Sequence, residues 1–280
     1  MRVLLIRHGE SVDNVAGLYA GSRDSALTNH GVLQAKRLGA HLAAHAAGIG
    51  PIRHVLASDL KRAFQTAEAV RDAYRTSAAT STSPLSDVVR IPELREKDFG
   101  LLEGKKFTTR EKDDGAETTE QMRLRIERFL DLHFTPILDQ YLKPEGGQHY
   151  TIVIVSHGII LNVLLRAMLA RYPMKYDMTP ESKRFAPQVG ARVGSDYHVA
   201  WSNTGYVQAS LKAPTSEFVS SDTVCRWHMA VEAVNCVDHL VGLKKTRGGI
   251  GSAKFDSKQR TMDSFFASSS KKRKSDVVEE

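Results

Sequence analysis

Residues 2–10 read RVLLIRHGE. A short apolar run of strand length, 2–6, passes at once into Arg7, His8, Gly9 and Glu10. An apolar run cut off by charge and glycine predicts a buried strand that ends in a functional loop. The arrangement returns twice. Residues 52–74, IRHVLASDLKRAFQTAEAVRDAY, predict a strand, Ser58 as cap, and a helix. Residues 151–169, TIVIVSHGIILNVLLRAML, predict a strand, a His157-Gly158 loop and a helix. Between the first two, residues 27–45 predict a helix capped by Thr28, with Val32, Ala35, Leu38 and Leu42 at helical spacing. Two later segments, 204–211 and 226–234, read as further strands. Alternation of strand, loop and helix favours an α/β fold, a sheet of mostly parallel strands flanked by helices.

Composition sets bounds on this fold. The 280 residues suffice for one large domain and a tail. No apolar run approaches the roughly 20 residues that span a bilayer, and the amino-terminal apolar stretch is too short for a secretory signal. Two cysteines, Cys225 and Cys236, are too few for a disulfide framework and read as thiols in a reducing compartment. The net charge is +7, but residues 244–280 hold 10 Lys/Arg against 5 Asp/Glu and carry +5 of it. The first 243 residues are nearly neutral, which argues against a broad nucleic-acid-binding face. A Ser/Thr-rich loop is expected at 76–87, a mostly helical insertion at about 104–145, and an irregular excursion at 172–200. From about Gly248 the Gly/Ser/Lys-rich chain is expected to be disordered.

Ligands of open α/β sheets sit outside the carboxyl ends of the strands. Three such ends deliver Arg7-His8-Gly9-Glu10, Arg62 just after Ser58, and Ser156-His157-Gly158. Two arginines and two histidines can converge there on one anion. Phosphoryl transfer needs a nucleophile in line, positive charge on the equatorial oxygens and an acid for the leaving group. Arginine binds phosphate oxygens bidentately. A histidine between two guanidinium groups keeps its lone pair and can hold the phosphoryl group covalently. Gly9 permits close backbone approach. Glu10 reads either as part of the pocket rim or as a plain helix-end carboxylate. Glu103 reads as structural, Trp201 and Trp227 as packing residues, and His30, His41 and His45 as surface or core residues.

Taken in order, LLIRHGES with Asn14, then LASDLKRAFQTA, ELREKDFGLLEG, IVIVSHG and SNTGY resemble the histidine phosphatase superfamily, in the branch that holds cofactor-dependent phosphoglycerate mutases and fructose-2,6-bisphosphatases. The resemblance covers about residues 1–240. It implies a phosphoglycerate mutase-like fold over 1–243. It also implies His8 as the phosphorylated nucleophile, with Arg7, Arg62 and His157 gripping the phosphoryl group. Asn14, Gly158, Gly21 and Glu10 complete the implied phosphate-binding set. Glu96, in LREKDFG, matches the proton donor, a role whose protonated form a bound dianion favours; Glu93 is the competing carboxylate, and the spacing to DFG favours Glu96. The helix begun at Gly158 would offer its positive end to the anion. No cofactor or metal is implied.

Mutases of this family carry a longer, more basic lid. Here EKDFGLLEGKKF and the segment after it lack the paired arginines of such a lid and look more like the fructose-2,6-bisphosphatase type. Water access then favours hydrolysis of a phosphomonoester. Lys105 and Lys106 are candidates for contact with a second anionic group of a substrate. A phosphomutase and a catalytically idle clamp-binding scaffold are the competing readings; the filled catalytic positions speak against idleness.

The tail, 244–280, carries KQRTMDSFF. Gln259, Met262, Phe265 and Phe266 fall at positions 1, 4, 7 and 8, so one tight turn puts Met262 and both rings on one side. The pattern resembles the PCNA-interacting peptide (PIP box) that binds the sliding clamp of DNA replication. Lys271, Lys272, Arg273 and Lys274 read as a nuclear-localisation run. The expectations are a eukaryotic protein, nuclear and also cytoplasmic. Its expected partners are a phosphorylated small molecule or phosphoprotein and the clamp, with no membrane and no direct nucleic-acid contact. Few aromatics alternate with the basic residues, so base stacking is not expected.

Overall fold

A computed structural model describes residues 1–77, 85–108, 115–141, 150–173, 198–212, 227–245 and 250–256. In chain order its main elements are β1 (Arg2–Arg7), α1 (Val12–Ala16), α2 (Asn29–Ala44), α3 (Ala46–Ile49), β2 (Ile52–Ala57), α4 (Lys61–Thr76) and β3 (Val89–Arg90). There follow α5 (Thr119–Phe129), α6 (Thr135–Gln140), β4 (Thr151–Ser156), α7 (Gly158–Arg171), β5 (Tyr206–Lys212) and β6 (His228–Cys236). The six strands form one sheet in the order β3-β2-β4-β1-β5-β6. β1, β2, β3 and β4 are mutually parallel, and β5 runs antiparallel to both β1 and β6.

Strand residues alternate between two cores. Val3, Leu5, Ile152 and Ile154 face a cluster built with α5, α6 and α7, whereas Leu4, Ile6, Val153 and Val155 face one built with α2 and α4. β4 is a central parallel strand buried on both faces along its whole length, which is why its middle, 152–155, is wholly apolar. Each fully buried Leu or Ile contributes about 1.5–3 kcal/mol relative to exposure.

The parallel pairing Leu4↔Val153 and Val55↔Val153 brings the carboxyl ends of β1, β2 and β4 to one edge. Their connecting loops therefore open on the same side. α2 starts as the sequence predicts, with the Thr28 hydroxyl accepting the Gly31 amide at 3.0 Å. α4 does not start as predicted. Leu60 is its cap position and offers no side-chain acceptor, while Asp24 accepts the Lys61 amide at 2.7 Å. Ser58 acts one step earlier, its Oγ accepting the Leu60 amide at 3.4 Å.

The segment read as an insertion, about 104–145, is part of the core over its described helices. Met122, Ile126, Phe129, Leu130, Phe134 and Leu138 are all buried in the α7-side cluster. A helix with one continuous apolar stripe needs a face to cover, and here the sheet with α7 supplies it. The domain boundary drawn at 243 also does not coincide with the end of packed chain. Residues 250–256 return to the start of α2, where the Asn29 amide donates to Ala253, the Phe255 amide donates to Leu27, and Thr28 bridges Lys254. Lys245 pairs with Glu10. Gln259, Met262, Phe265, Phe266 and the run Lys271, Lys272, Arg273 and Lys274 lie outside the described residues, as does Cys225.

Candidate active site

His8 leaves the end of β1 and is almost wholly buried. Its Nδ1 lies 2.7 Å from the Gly9 carbonyl. A carbonyl only accepts, so Nδ1 carries the proton and Nε2 keeps its lone pair. Burial, then the positive charges of Arg62 and Arg7, hold His8 well below the ordinary histidine range. The imidazole is thus neutral and nucleophilic. The Gly9 amide donates to Thr66 Oγ1 at 3.0 Å, tying the loop to α4. Gly9 is required by packing: a Cβ there would meet the Gly31 carbonyl at 2.6 Å. The close approach expected at this glycine is therefore to α2.

Arg62, on the first turn of α4, is 1% exposed. Its Nη groups donate to the carbonyls of Arg23 at 2.6 Å, Ala20 at 2.9 Å and Gly21 at 3.1 Å. Its Nε donates to His157 Nδ1 at 3.2 Å, and His157 Nε2 lies 2.9 Å from Ser58 Oγ. Arginine only donates, so His157 carries its proton on Nε2. Burial, then the charges of Arg62, His8 and Arg7, push His157 well down as well. The rings of His8 and His157 meet edge to face with centroids 4.9 Å apart. Arg7 Nη1 donates to the Trp201 carbonyl at 2.6 Å, while its buried Nε has no protein acceptor among the described residues. A Cβ added to Gly158 would come 3.8 Å from that Nε. A guanidinium donor without a partner, beside a residue without a side chain, suits an anionic oxygen.

Glu96 approaches from the other side. Its carboxylate accepts the amides of Ile159 and Ile160 at 3.0 Å each and of Lys97 at 2.9 Å. Two of these belong to the first turn of α7, where unpaired amides and the helix dipole favour negative charge. The Glu96 loop is fixed by Arg125, which donates to the carbonyls of Glu93, Arg95 and Glu96 and pairs with Glu117. Glu93 enters only through that carbonyl.

A cavity of about 360 Å³ is lined by Arg7, His8, Asn14, Glu96, Gly158 and Trp201 among others, whereas Arg62 and His157, buried beside His8, do not line it. The Asn14 Oδ1 accepts from Ser11 N and Asn203 Nδ2, both at 3.2 Å. Two sequence candidates fall elsewhere. Glu10 is buried, with the Thr28 hydroxyl donating to its Oε1 at 2.8 Å and Lys245 on its Oε2; it serves the α2 start. The Gly21 amide is turned to Glu103 Oε1 at 3.0 Å, and its carbonyl holds Arg62. Gly21 thus positions Arg62 and does not line the cavity. Lys105 and Lys106 do not line it either, and Lys106 Nζ donates to the Ala16 carbonyl. Sequence reading missed Ser58 as a histidine partner, Asn203, Arg125 and the Glu103 anchor. Only the SNTGY motif had flagged Asn203.

Behind the site sits Thr204, whose φ of +57° is unusual for a β-branched residue. Its amide donates to the carbonyls of Arg7 and His8, and its hydroxyl lies 2.8 Å from His239 Nε2. The Asn235 side chain brackets Ser202. The SNTGY loop is therefore clamped against the nucleophile from behind. Among the described residues no cluster of His, Cys, Asp and Glu is placed to hold a metal ion, and no helix is long and apolar enough to cross a membrane.

Comparison with known proteins agrees with this geometry. The profile of the histidine phosphatase superfamily (branch 1) matches residues 3–180. A protein of Schizosaccharomyces pombe described as a probable phosphatase is 34% identical over 272 residues, covering 94% of this chain and 78% of its own. The probable phosphoglycerate mutase GpmB of Proteus mirabilis is 35% identical over 179 residues, covering 60% of this chain and 75% of its own. Among solved structures, the α-ribazole phosphatase of Shigella flexneri superposes with a TM-score of 0.54 at 23% identity, over 85% of this chain and 97% of that one. YhfR of Bacillus stearothermophilus gives a TM-score of 0.56 at 22% identity, over 84% and 98%. These two likenesses concern the fold.

Proposed function

The chain belongs to the histidine phosphatase superfamily, branch 1, and we propose that it is a metal-independent phosphatase that hydrolyses a phosphomonoester through a phosphohistidine. The observation that carries this reading is the neutral, Nδ1-protonated His8 beside Arg7 and Arg62. The Nε2 lone pair attacks phosphorus, the P–N bond forms and the ester P–O bond breaks. The departing alkoxide takes a proton from the Glu96 carboxyl. Water then attacks the phosphohistidine, gives its proton to Glu96, and the P–N bond breaks to return neutral His8 and inorganic phosphate. Arg7, whose Nε has no protein acceptor among the described residues, and Asn14 line the cavity and meet the transferring group, and the charge of Arg62, held beside His157 and His8, adds to the positive field that the loose transition state demands. Resting Glu96 occupies the amino end of α7.

The experiment is a pulse of labelled substrate followed by quenching. An acid-labile, alkali-stable phosphoryl-protein that is absent in His8→Ala supports the reading. Full turnover by His8→Ala would refute it. Relatives named phosphoglycerate mutase support a second reading, a mutase sharing the same intermediate. Interconversion of 2- and 3-phosphoglycerate faster than phosphate release selects it.

The tail adds an address. Its PIP-box spacing, Gln259, Met262, Phe265 and Phe266, supports engagement of a sliding clamp, and Lys271 to Lys274 support nuclear import in a eukaryotic cell. Calorimetric titration of the full chain with clamp tests the first part: binding that is lost in Phe265→Ala/Phe266→Ala supports it, and equal binding by that variant refutes it.

A further inference from the structure

His239 does not line the cavity, yet a run of hydrogen bonds joins it to the nucleophile. It stands in the one-turn helix Asp238–Leu240 that follows β6, and it is buried. Its ring centroid lies 5.9 Å from that of His41 on α2 and 6.3 Å from that of Tyr206 on β5. Arg37 Nη1 donates to the Val241 carbonyl at 2.9 Å, which ties the same turn to α2. The imidazole therefore has a fixed support.

The direction of the bonds follows from counting hydrogens. Thr204 Oγ1 donates to the Asn203 carbonyl at 2.7 Å, and a hydroxyl has one hydrogen to give. The 2.8 Å contact with His239 Nε2 then runs the other way, with Nε2–H donating to Oγ1. Burial and then His41 push His239 down to about 4, so at neutral pH the ring carries a single proton, on Nε2. Its buried Nδ1, which has no partner among the described residues, is the bare nitrogen.

Beyond the Thr204 hydroxyl, the Asn203 side chain serves two acceptors. Its Nδ2 donates to the His8 carbonyl and to Asn14 Oδ1, both at 3.2 Å, using one hydrogen for each. Asn14 Oδ1 also accepts the Ser11 amide at 3.2 Å. With that oxygen committed, the nitrogen is what the Asn14 amide can offer to a ligand in the cavity, and a phosphoryl oxygen needs a donor. A glycine would take the Thr204 φ of +57° without strain, but it would break the run of bonds.

Resting on the phosphatase reading above, we propose that His239 is a positioning residue for phosphoryl transfer. Its Nε2–H, passed on through the Thr204 hydroxyl to the Asn203 carbonyl, holds the Asn203 side chain where it fixes the His8 carbonyl and commits the Asn14 oxygen, leaving the Asn14 nitrogen to meet the transferring group.

The test measures phosphate release from para-nitrophenyl phosphate by the full chain carrying His239→Leu, His239→Gln, Thr204→Gly or His239→Leu with Thr204→Gly, with thermal midpoints on the same preparations. In His239→Leu kcat falls about 10- to 100-fold, the scale of a reacting group displaced by a fraction of its contact distance. His239→Gln keeps an N–H and recovers most of that loss. Thr204→Gly loses as much as His239→Leu, and the double variant loses no more than either. A His239→Leu that lowers the thermal midpoint alone, or a His239→Gln as slow as His239→Leu, overturns the proposal. If His239→Leu does not fold, Thr204→Gly decides: wild-type kcat there overturns it. Long-range proton–nitrogen spectra of the wild type read the His239 tautomer without turnover. Phosphate release with the proton on Nδ1 sinks the positioning role and leaves the phosphatase reading standing. No release from any substrate, with the proton on Nε2, sinks the phosphatase reading and the positioning role with it.

Discussion

Arg62 donates from Nε to His157 Nδ1 at 3.2 Å, so one buried cation decides which nitrogen of the second histidine bears hydrogen. Arg62→Lys keeps the charge but not the fork. We expect kcat/KM to fall by roughly 10²–10³, the usual loss for one preorganised donor to a charged transition state. The carbonyls of Ala20, Gly21 and Arg23 also lose donors, at about 1–3 kcal/mol for each left buried and unpaired. Urea unfolding and steady-state kinetics on the same preparation measure both effects.

Glu96→Gln separates acid catalysis from structure. Glutamine keeps one acceptor oxygen for the α7 amides and loses the other, so the loop stays partly anchored and the isosteric side chain should leave the fold in place. With a poor leaving group kcat should drop about 10²–10⁴-fold. With para-nitrophenyl phosphate, whose leaving group hardly needs a proton, the first step should suffer far less. Equal losses on both substrates would remove Glu96 from the acid role.

The histidines set the acid side of the stability curve. His239 is pushed down to about 4, by burial first and then by His41. The unfolded chain binds that proton from about pH 6.5 downward. Between these values U holds more protons than N, so stability is present above about pH 6.5 and is lost as pH falls toward 4. The loss amounts to up to about 3 kcal/mol from this residue. His8 and His157, both lowered, act in the same direction. Thermal midpoints from pH 7 to 4.5 should fall, and His239→Gln should flatten part of the slope. Activity should be less sensitive, because a lowered His8 keeps its lone pair well below pH 6.5. Arg62→Gln should move the acid limb of kcat/KM upward.

Glu103 has no contact with the reacting groups, yet its carboxylate accepts amides from Gly21, Ser22, Arg23 and Phe99. It fixes the turn whose carbonyls fix Arg62. Glu103→Ala should destabilise by about 2–4 kcal/mol and lower kcat more than it raises KM, with Glu103→Gln recovering part of both. A Tm shift with unchanged kinetics would make Glu103 purely structural.

The sequence exposed what is local and hid what is long-range. Arg7, His8 and His157 could be placed because each follows an apolar strand directly, and parallel strands bring their carboxyl ends together. The last two strands, though antiparallel, were visible from their local apolar content alone. Ser58 was misread as a cap because capping needs only local spacing, and nothing local reveals that Asp24 supplies the α4 cap instead. Glu103, Arg125 and Asn203 act over 29 to 195 residues of chain. No period or motif spacing encodes those partners. Gly21 was implied only by the resemblance, and its amide is committed to the Glu103 carboxylate. The helices of 119–140 looked like an insertion because their apolar stripe does not show which surface it covers.

The return of residues 250–256 to the start of α2 changes what the tail can do. It gives the last stretch a root pinned to the catalytic body, with Lys245 fastened to the residue two places after the nucleophile. Phe265 lies nine positions after Asp256, a fully extended reach of about 30 Å. Under the proposed docking of Phe265 and Phe266 on a partner, the pocket would become a short-leashed passenger. It would meet whatever that partner gathers at an effective concentration on the millimolar scale. A substrate too weakly bound to be captured from bulk solution would then be processed at that one location.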